Sequence, residues 1–142
     1  MRTTPATRHP DTGLRVGLGL LELSIGTSAV WGGVMLMTDR WNMPADWLRH
    51  TPFDSWLLPG LALVGLIGGT QLVAGLALLS HHPAARTASI AAGLILVGWI
   101  VVQLVWLRKL HPVMQPTMLA AGAAIIALAS RLPRATVRGG VS

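Results

Sequence analysis

WNMPADWLRHTPFDSWLLPG, residues 41–60, is the longest stretch of this 142-residue chain lying outside any apolar run. Three of the six Trp and the single Phe fall within it. Upstream, Leu14 to Met37 is almost wholly apolar; downstream, three more apolar runs follow with tight connections. An aromatic-rich polar segment between apolar blocks reads as a loop at a membrane surface, dividing the chain into one span followed by three. Hydrophobic residues make up 52% of the chain and charged residues 11%. A soluble domain carries about 25% charged residues, so water is not the only solvent this fold expects.

Working outward, the spans read 14–37, 52–80, 87–107 and 113–130, with an outer loop at 38–51. The first exceeds the roughly 20 residues needed to cross a bilayer. It also exceeds the h-region of a cleaved signal and holds Glu22, so it reads as a retained helix. Thr51-Pro52-Phe53-Asp54 has the form of a capping box with Pro in the first turn, which starts the second helix near Pro52. Pro59 then predicts a bend one turn further on. His81-His82-Pro83-Ala84-Ala85-Arg86 is a short turn. The fourth span, 18 residues, is short at about 27 Å. Residues 1–13 read as a disordered tail and 131–142 as a basic one. Short connections make neighbours antiparallel, so the expected fold is an all-α integral membrane antiparallel four-helix bundle.

The +6 formal charge is scattered between apolar runs, a pattern of topology rather than of nucleic-acid binding. Arg2, Arg8, Arg15, Arg86, Arg131, Arg134 and Arg138 fall on one side, and Arg40, Arg49, Arg108 and Lys109 on the other. That bias places both termini in the cytoplasm and the protein, multi-pass, in the inner membrane. Trp41, Trp47, Phe53 and Trp56 are then interfacial anchors, or alternatively a lid over a cavity. The absence of Cys excludes disulfides, thiolate metal sites and cysteine nucleophiles. Met35, Met37, Met43, Met114 and Met118, with His50 and His111, are soft ligands, but their spacing matches no metal motif and Met commonly fills gaps in helical packing. No metal or other cofactor is expected.

Chemistry rests on a few polar residues within the spans. Glu22 shares a face with Gly19, Gly26, Ala29 and Gly33, which points it into the bundle, where helices approach closely. A charged carboxylate there is costly. It is either a neutral carboxyl bonded to a neighbouring helix or a proton-coupling or cation-binding group. Gln71, at similar depth on the second span, is its expected partner. Toward the outside, Trp99, Gln103 and Trp106 share a helical face and, with Gln115, frame either packing contacts or an aromatic pocket for a lipid, quinone or hydrophobic cation.

Phe53-Asp54-Ser55-Trp56-Leu57-Leu58-Pro59-Gly60, Gly68-Gly69 and Gly98-Trp99-Ile100-Val101-Val102-Gln103 resemble a group of small four-span bacterial membrane proteins of actinobacterial type. The likeness covers about Phe53 to Gln115; it implies the four-helix architecture and carries no assigned activity. Glu22-Leu23-Ser24-Ile25-Gly26-Thr27-Ser28 is similar to the first helix of the small multidrug resistance transporters, which implies a proton-exchanging role for Glu22. That family's other features, a Tyr among them, have no counterpart here. The expected function is therefore a non-enzymatic accessory or structural subunit, packing against the bilayer and either a second copy or a larger membrane complex. A homodimeric proton-coupled transporter of lipophilic cations, titrating at Glu22, is the alternative.

Overall fold

A computed structural model describes residues 10–107 and 112–134. The expected tails in 1–9 and 135–142, and the charges Arg2, Arg8, Arg108, Lys109 and Arg138, lie outside the described residues, as does His111. Among the described residues the regular structure is helical, with no strand. Four helices carry the fold: α1 (Pro10–Met37), α2 (Leu57–Leu79), α3 (Ala85–Leu107) and α4 (Met114–Ser130). The first three are long and apolar enough to cross a membrane. Their outward faces carry Leu20, Trp31, Leu61, Val73, Leu94 and Val105, all exposed, while Glu22, Gln71, Ser89 and Gln115 are sealed inside. Apolar outside and polar inside is the arrangement of a helical membrane protein.

The helix starts differ most from expectation at two places, and α3 also begins two residues early, at Ala85. First, α1 begins at Pro10, so residues 10–13 of the expected tail are helical. Second, α2 begins at Leu57 rather than near Pro52. The Thr51 hydroxyl donates to the Leu48 carbonyl at 2.8 Å and accepts from the Phe53 N–H at 3.3 Å. It thus closes a turn after a short 3-10 helix (Ala45–Leu48), and no capping box with Asp54 forms. A side-chain hydroxyl offers the backbone this local alternative to a helix start. Pro59 is consequently the third residue of α2, in the first turn, where no backbone N–H has a helical partner to lose. The expected bend at Pro59 has no cause there.

The departure from α-geometry comes later, as a π-helical segment, Leu63–Gly69, and the glycine spacing explains it. Helices α1 and α2 run antiparallel with glycines at their closest approaches. A methyl group placed on Gly75 would meet the Gly19 carbonyl oxygen at 3.0 Å, one on Gly68 the Gly26 oxygen at 3.4 Å, and one on Gly60 the Gly33 oxygen at 2.8 Å. On α1 these glycines recur every seven residues, about two turns. On α2 the interval from Gly68 to Gly75 is also seven, but that from Gly60 to Gly68 is eight. One extra residue in an α-helix would rotate Gly60 by about 100° off the seam. A π-helical turn, with its wider ring, absorbs that residue and keeps all three glycines in line. The Thr70 hydroxyl donates to the carbonyls of Leu66 and Ile67, supplying carbonyls at the end of this segment with a further donor.

Helix α3 packs on α4 and on the second half of α2, and α1 touches α4 more lightly. Gly93 of α3 faces Gly122 of α4 in the same backbone-close manner. Leu18, Ile25, Ile67, Leu78, Leu96 and Ile125 fill the core between the helices. The molecule therefore has a turn end, at His81-His82, and a loop end, where residues 38–56 lie.

Candidate functional site

Within the turn-end half, a polar layer joins three helices. Glu22, Gln71 and Ser89 have no exposed surface. The Ser89 hydroxyl of α3 donates to Glu22 Oε2 at 3.1 Å. Gln71 Nε2 of α2 donates to the Ala92 carbonyl of α3 at 3.1 Å. Glycine contacts bracket this layer: Gly19 against Gly75 on one side, and Gly26 against Leu72 and Gly68 on the other. Without those glycines α1 and α2 would stand further apart.

Gln71 was the partner expected for Glu22; the hydrogen bonds that each residue makes run to α3. The small residues Ser89 and Ala92, both fully enclosed, let α3 approach until a hydroxyl and a backbone carbonyl come within reach. Each such bond contributes about 0.6–2 kcal/mol across membrane helices. Two acceptors remain over, Oε1 of Glu22 and Oε1 of Gln71, both buried and without a partner.

Ser89 is the residue that sequence reasoning missed. Its signal was a hydroxyl two residues inside an apolar run, following Thr87, at a depth matching Glu22. The Ala92 carbonyl carries no sequence signal, because every residue has one.

At the loop end the expected second layer forms in part. Trp99, Gln103 and Trp106 of α3 line one cavity of about 50 Å³, and Phe53 and Trp56 close it from the loop. Phe53 meets Trp106 edge to face, ring centroids 5.6 Å apart at 70°. Gln115 is buried in the first turn of α4 but is not among the residues lining this cavity. Trp41 points outward, half exposed, whereas Phe53 and Trp56 turn inward. Trp47 is only partly buried, in the 3-10 turn. The loop thus lies folded over the helices at Phe53 and Trp56.

The cavity is small. Room of this size holds a few water molecules, against the roughly 300 Å³ or more of a typical ligand pocket. The indole nitrogens of Trp56 and Trp99 are buried and unpartnered at its walls. Beside it lies an open depression of about 320 Å³ between Met37, Met43 and Leu57.

Comparison of the chain with protein-family models, curated proteins and solved structures finds no match.

Proposed function

We propose that this chain is a small polytopic membrane protein without catalytic activity, an accessory or structural subunit that acts through helix packing. The observation that carries this reading is the closure of its polar interior. Glu22, Gln71 and Ser89 have no exposed surface, and their bonds run from helix to helix. A site that handles a substrate needs an open concave approach, whereas a site that fixes helix positions needs closure. The actinobacterial-type four-span resemblance and the Lys and Arg distribution support an inner-membrane location with both termini cytoplasmic and the helices forming an antiparallel bundle.

Native mass spectrometry of the protein extracted gently from its own membrane tests the proposal. A discrete larger complex is the expected result. A clean homodimer with a bound lipophilic molecule would overturn it in favour of transport.

The transporter reading keeps one specific support: the unpartnered carboxyl oxygen of Glu22 on the helix that resembles the small multidrug transporters. Glu22→Gln separates the two readings. Packing survives that change, because the amide has the same shape and retains an acceptor for Ser89. Proton-coupled transport is abolished by it.

A further inference from the structure

The two leftover acceptors of the turn-end layer pose a problem in hydrogen-bond accounting. Glu22 Oε2 is occupied by Ser89, and the Gln71 amide nitrogen by the Ala92 carbonyl. That leaves Glu22 Oε1 and Gln71 Oε1, two oxygens rich in lone pairs and shut away from solvent, each without a donor. Buried polar atoms are nearly always paired, and an unpartnered one costs its full desolvation. Both side chains reach the same face of α3 within one helical turn, at Ser89 and Ala92. Both lie in the layer bounded by the Gly19–Gly75 and Gly26–Gly68 contacts.

The charge balance leads to the same place. No ion pair to Glu22 forms among the described residues; the one salt bridge there is Arg49 with Asp46 on the loop. The charged groups on the elements around Glu22 are Asp11 and Arg15, eleven and seven residues earlier on α1, and Arg86, one turn before Ser89 on α3; Arg15 Nη1 is itself buried without a partner. The Arg86 guanidinium donates to the Ser130 carbonyl at 3.4 Å, at the end of α4. Helix α2 presents Gln71 and no ionisable side chain. A buried carboxylate without a counter-ion is among the most costly arrangements in a membrane. Neither free oxygen is open to a water-sized contact. A proton is the cation that needs no space.

We propose that Glu22 is a neutral acid whose proton sits on Oε1 and is donated to Gln71 Oε1, so that Glu22, Gln71 and Ser89 form one proton-binding site linking α1, α2 and α3. The site deepens the packing reading above and rests on it: the proton is what lets the layer close. Its removal would set a carboxylate against an amide oxygen, two acceptors facing each other, and push α1 from α2. The layer is thereby a latch that a proton holds shut.

Glu22 is the sole glutamate of the chain, which permits a test on the unaltered protein. Protein labelled with 13C at the glutamate side-chain carboxyl, in lipid nanodiscs at pH 7, is examined by isotope-edited infrared spectroscopy. The expected result is one isotope-shifted carbonyl band of a protonated, hydrogen-bonded carboxyl. In Gln71→Met, which keeps the side-chain volume, that band moves to higher frequency as the acceptor is lost.

A label appearing only as carboxylate overturns the proposal, and one whose carboxylate bands respond to sodium replaces the proton by a metal ion. A protonated band indifferent to Gln71→Met overturns the shared proton. Should Gln71→Met not fold, the wild-type band alone decides protonation, and its frequency decides whether the proton is donated or free. None of these outcomes depends on whether a larger complex is found, so the two proposals fail separately.

Discussion

The α1–α2 seam and the contact between α3 and the outer loop join the same molecule by opposite means. Along the seam, backbone meets backbone: a methyl group on Gly33 would stand 2.6 Å from the Gly60 carbonyl oxygen and against Val64. At the loop, large rings meet large rings, and a cavity remains between them. Close backbone approach fixes register and tolerates no added atom. Aromatic contact covers area, tolerates gaps and fixes little. In lipid, where burying an apolar side chain gains almost nothing over leaving it in the acyl chains, the first kind carries helix association. The seam is therefore the rigid part of this fold and the loop contact the adjustable one.

The largest effect expected is at the seam. Gly33→Ala should destabilise the protein by about 1–3 kcal/mol, the range for overpacking a close contact, because two of its three near neighbours are backbone atoms that cannot rotate away. Gly65→Ala, on the open face of the π-helical segment where nothing lies within 4 Å, should be neutral or stabilise by up to about 1 kcal/mol through helix propensity. Thermal melting of the two variants in the same detergent reads the difference. Equal effects would mean that the glycines do not define the seam.

Next in size is Ser89→Ala. It leaves Glu22 Oε2 buried without its donor, a loss of about 1–2 kcal/mol. Removing the Gln71 donor with Gln71→Met should cost about the same, and the two losses should not add independently, because both pins hold α3 to one layer. A double-mutant cycle of melting midpoints checks this. Additive losses would dissolve the layer into two unrelated bonds. On the other side of the comparison, the Phe53–Trp106 pair should show a coupling of only about 0.5–1.5 kcal/mol in a Phe53→Leu, Trp106→Leu cycle. A larger coupling would make the loop part of the rigid frame.

How much of this the sequence disclosed depends on the kind of contact. Four apolar runs announced four helices, since length and hydropathy are local properties. Glu22, Gln71, Trp99, Gln103 and Trp106 stood out because a polar or aromatic group in an apolar run is rare. What each would touch was not legible. The sequence paired Gln71 with Glu22, and α3 added Ser89 and the Ala92 carbonyl as partners, the second of which no side chain encodes. Gln115 resembled Gln103 in sequence and lies away from the cavity, because the face an isolated span presents depends on its neighbours. The π-helical segment was present all along as the uneven glycine interval of eight and seven. It becomes readable only when α2 is set against the even intervals of α1. Thr51-Pro52-Phe53-Asp54 failed as a helix start because the same hydroxyl serves equally well to close the turn before it.

The smallest effects concern the two helix ends, and they serve as the control for the whole comparison. Asp39 closes α1 at the loop end and His81 closes α2 at the turn end, both with left-handed backbone, at φ of 52° and 56°. Each end uses the same pair of bonds. The Asp39 and Arg40 N–H groups donate to the carbonyls of Leu36 and Met35, and those of His81 and His82 to Leu78 and Ala77. This is the glycine-favouring helix stop built without glycine, and its strain is about 1 kcal/mol for a residue bearing a Cβ. His81→Gly should therefore raise stability by up to about 1 kcal/mol, offset by the greater freedom of glycine in the unfolded chain. Asp39→Gly should gain the same amount, since the local geometry is the same. Equal gains in melting temperature would show that both ends stop their helices by local conformation alone. The difference between seam and loop would then belong to packing. A gain at His81 matched by a loss at Asp39 would place tertiary contacts of the Asp39 carboxylate at the loop end, and so make that end more ordered than its aromatic contacts imply.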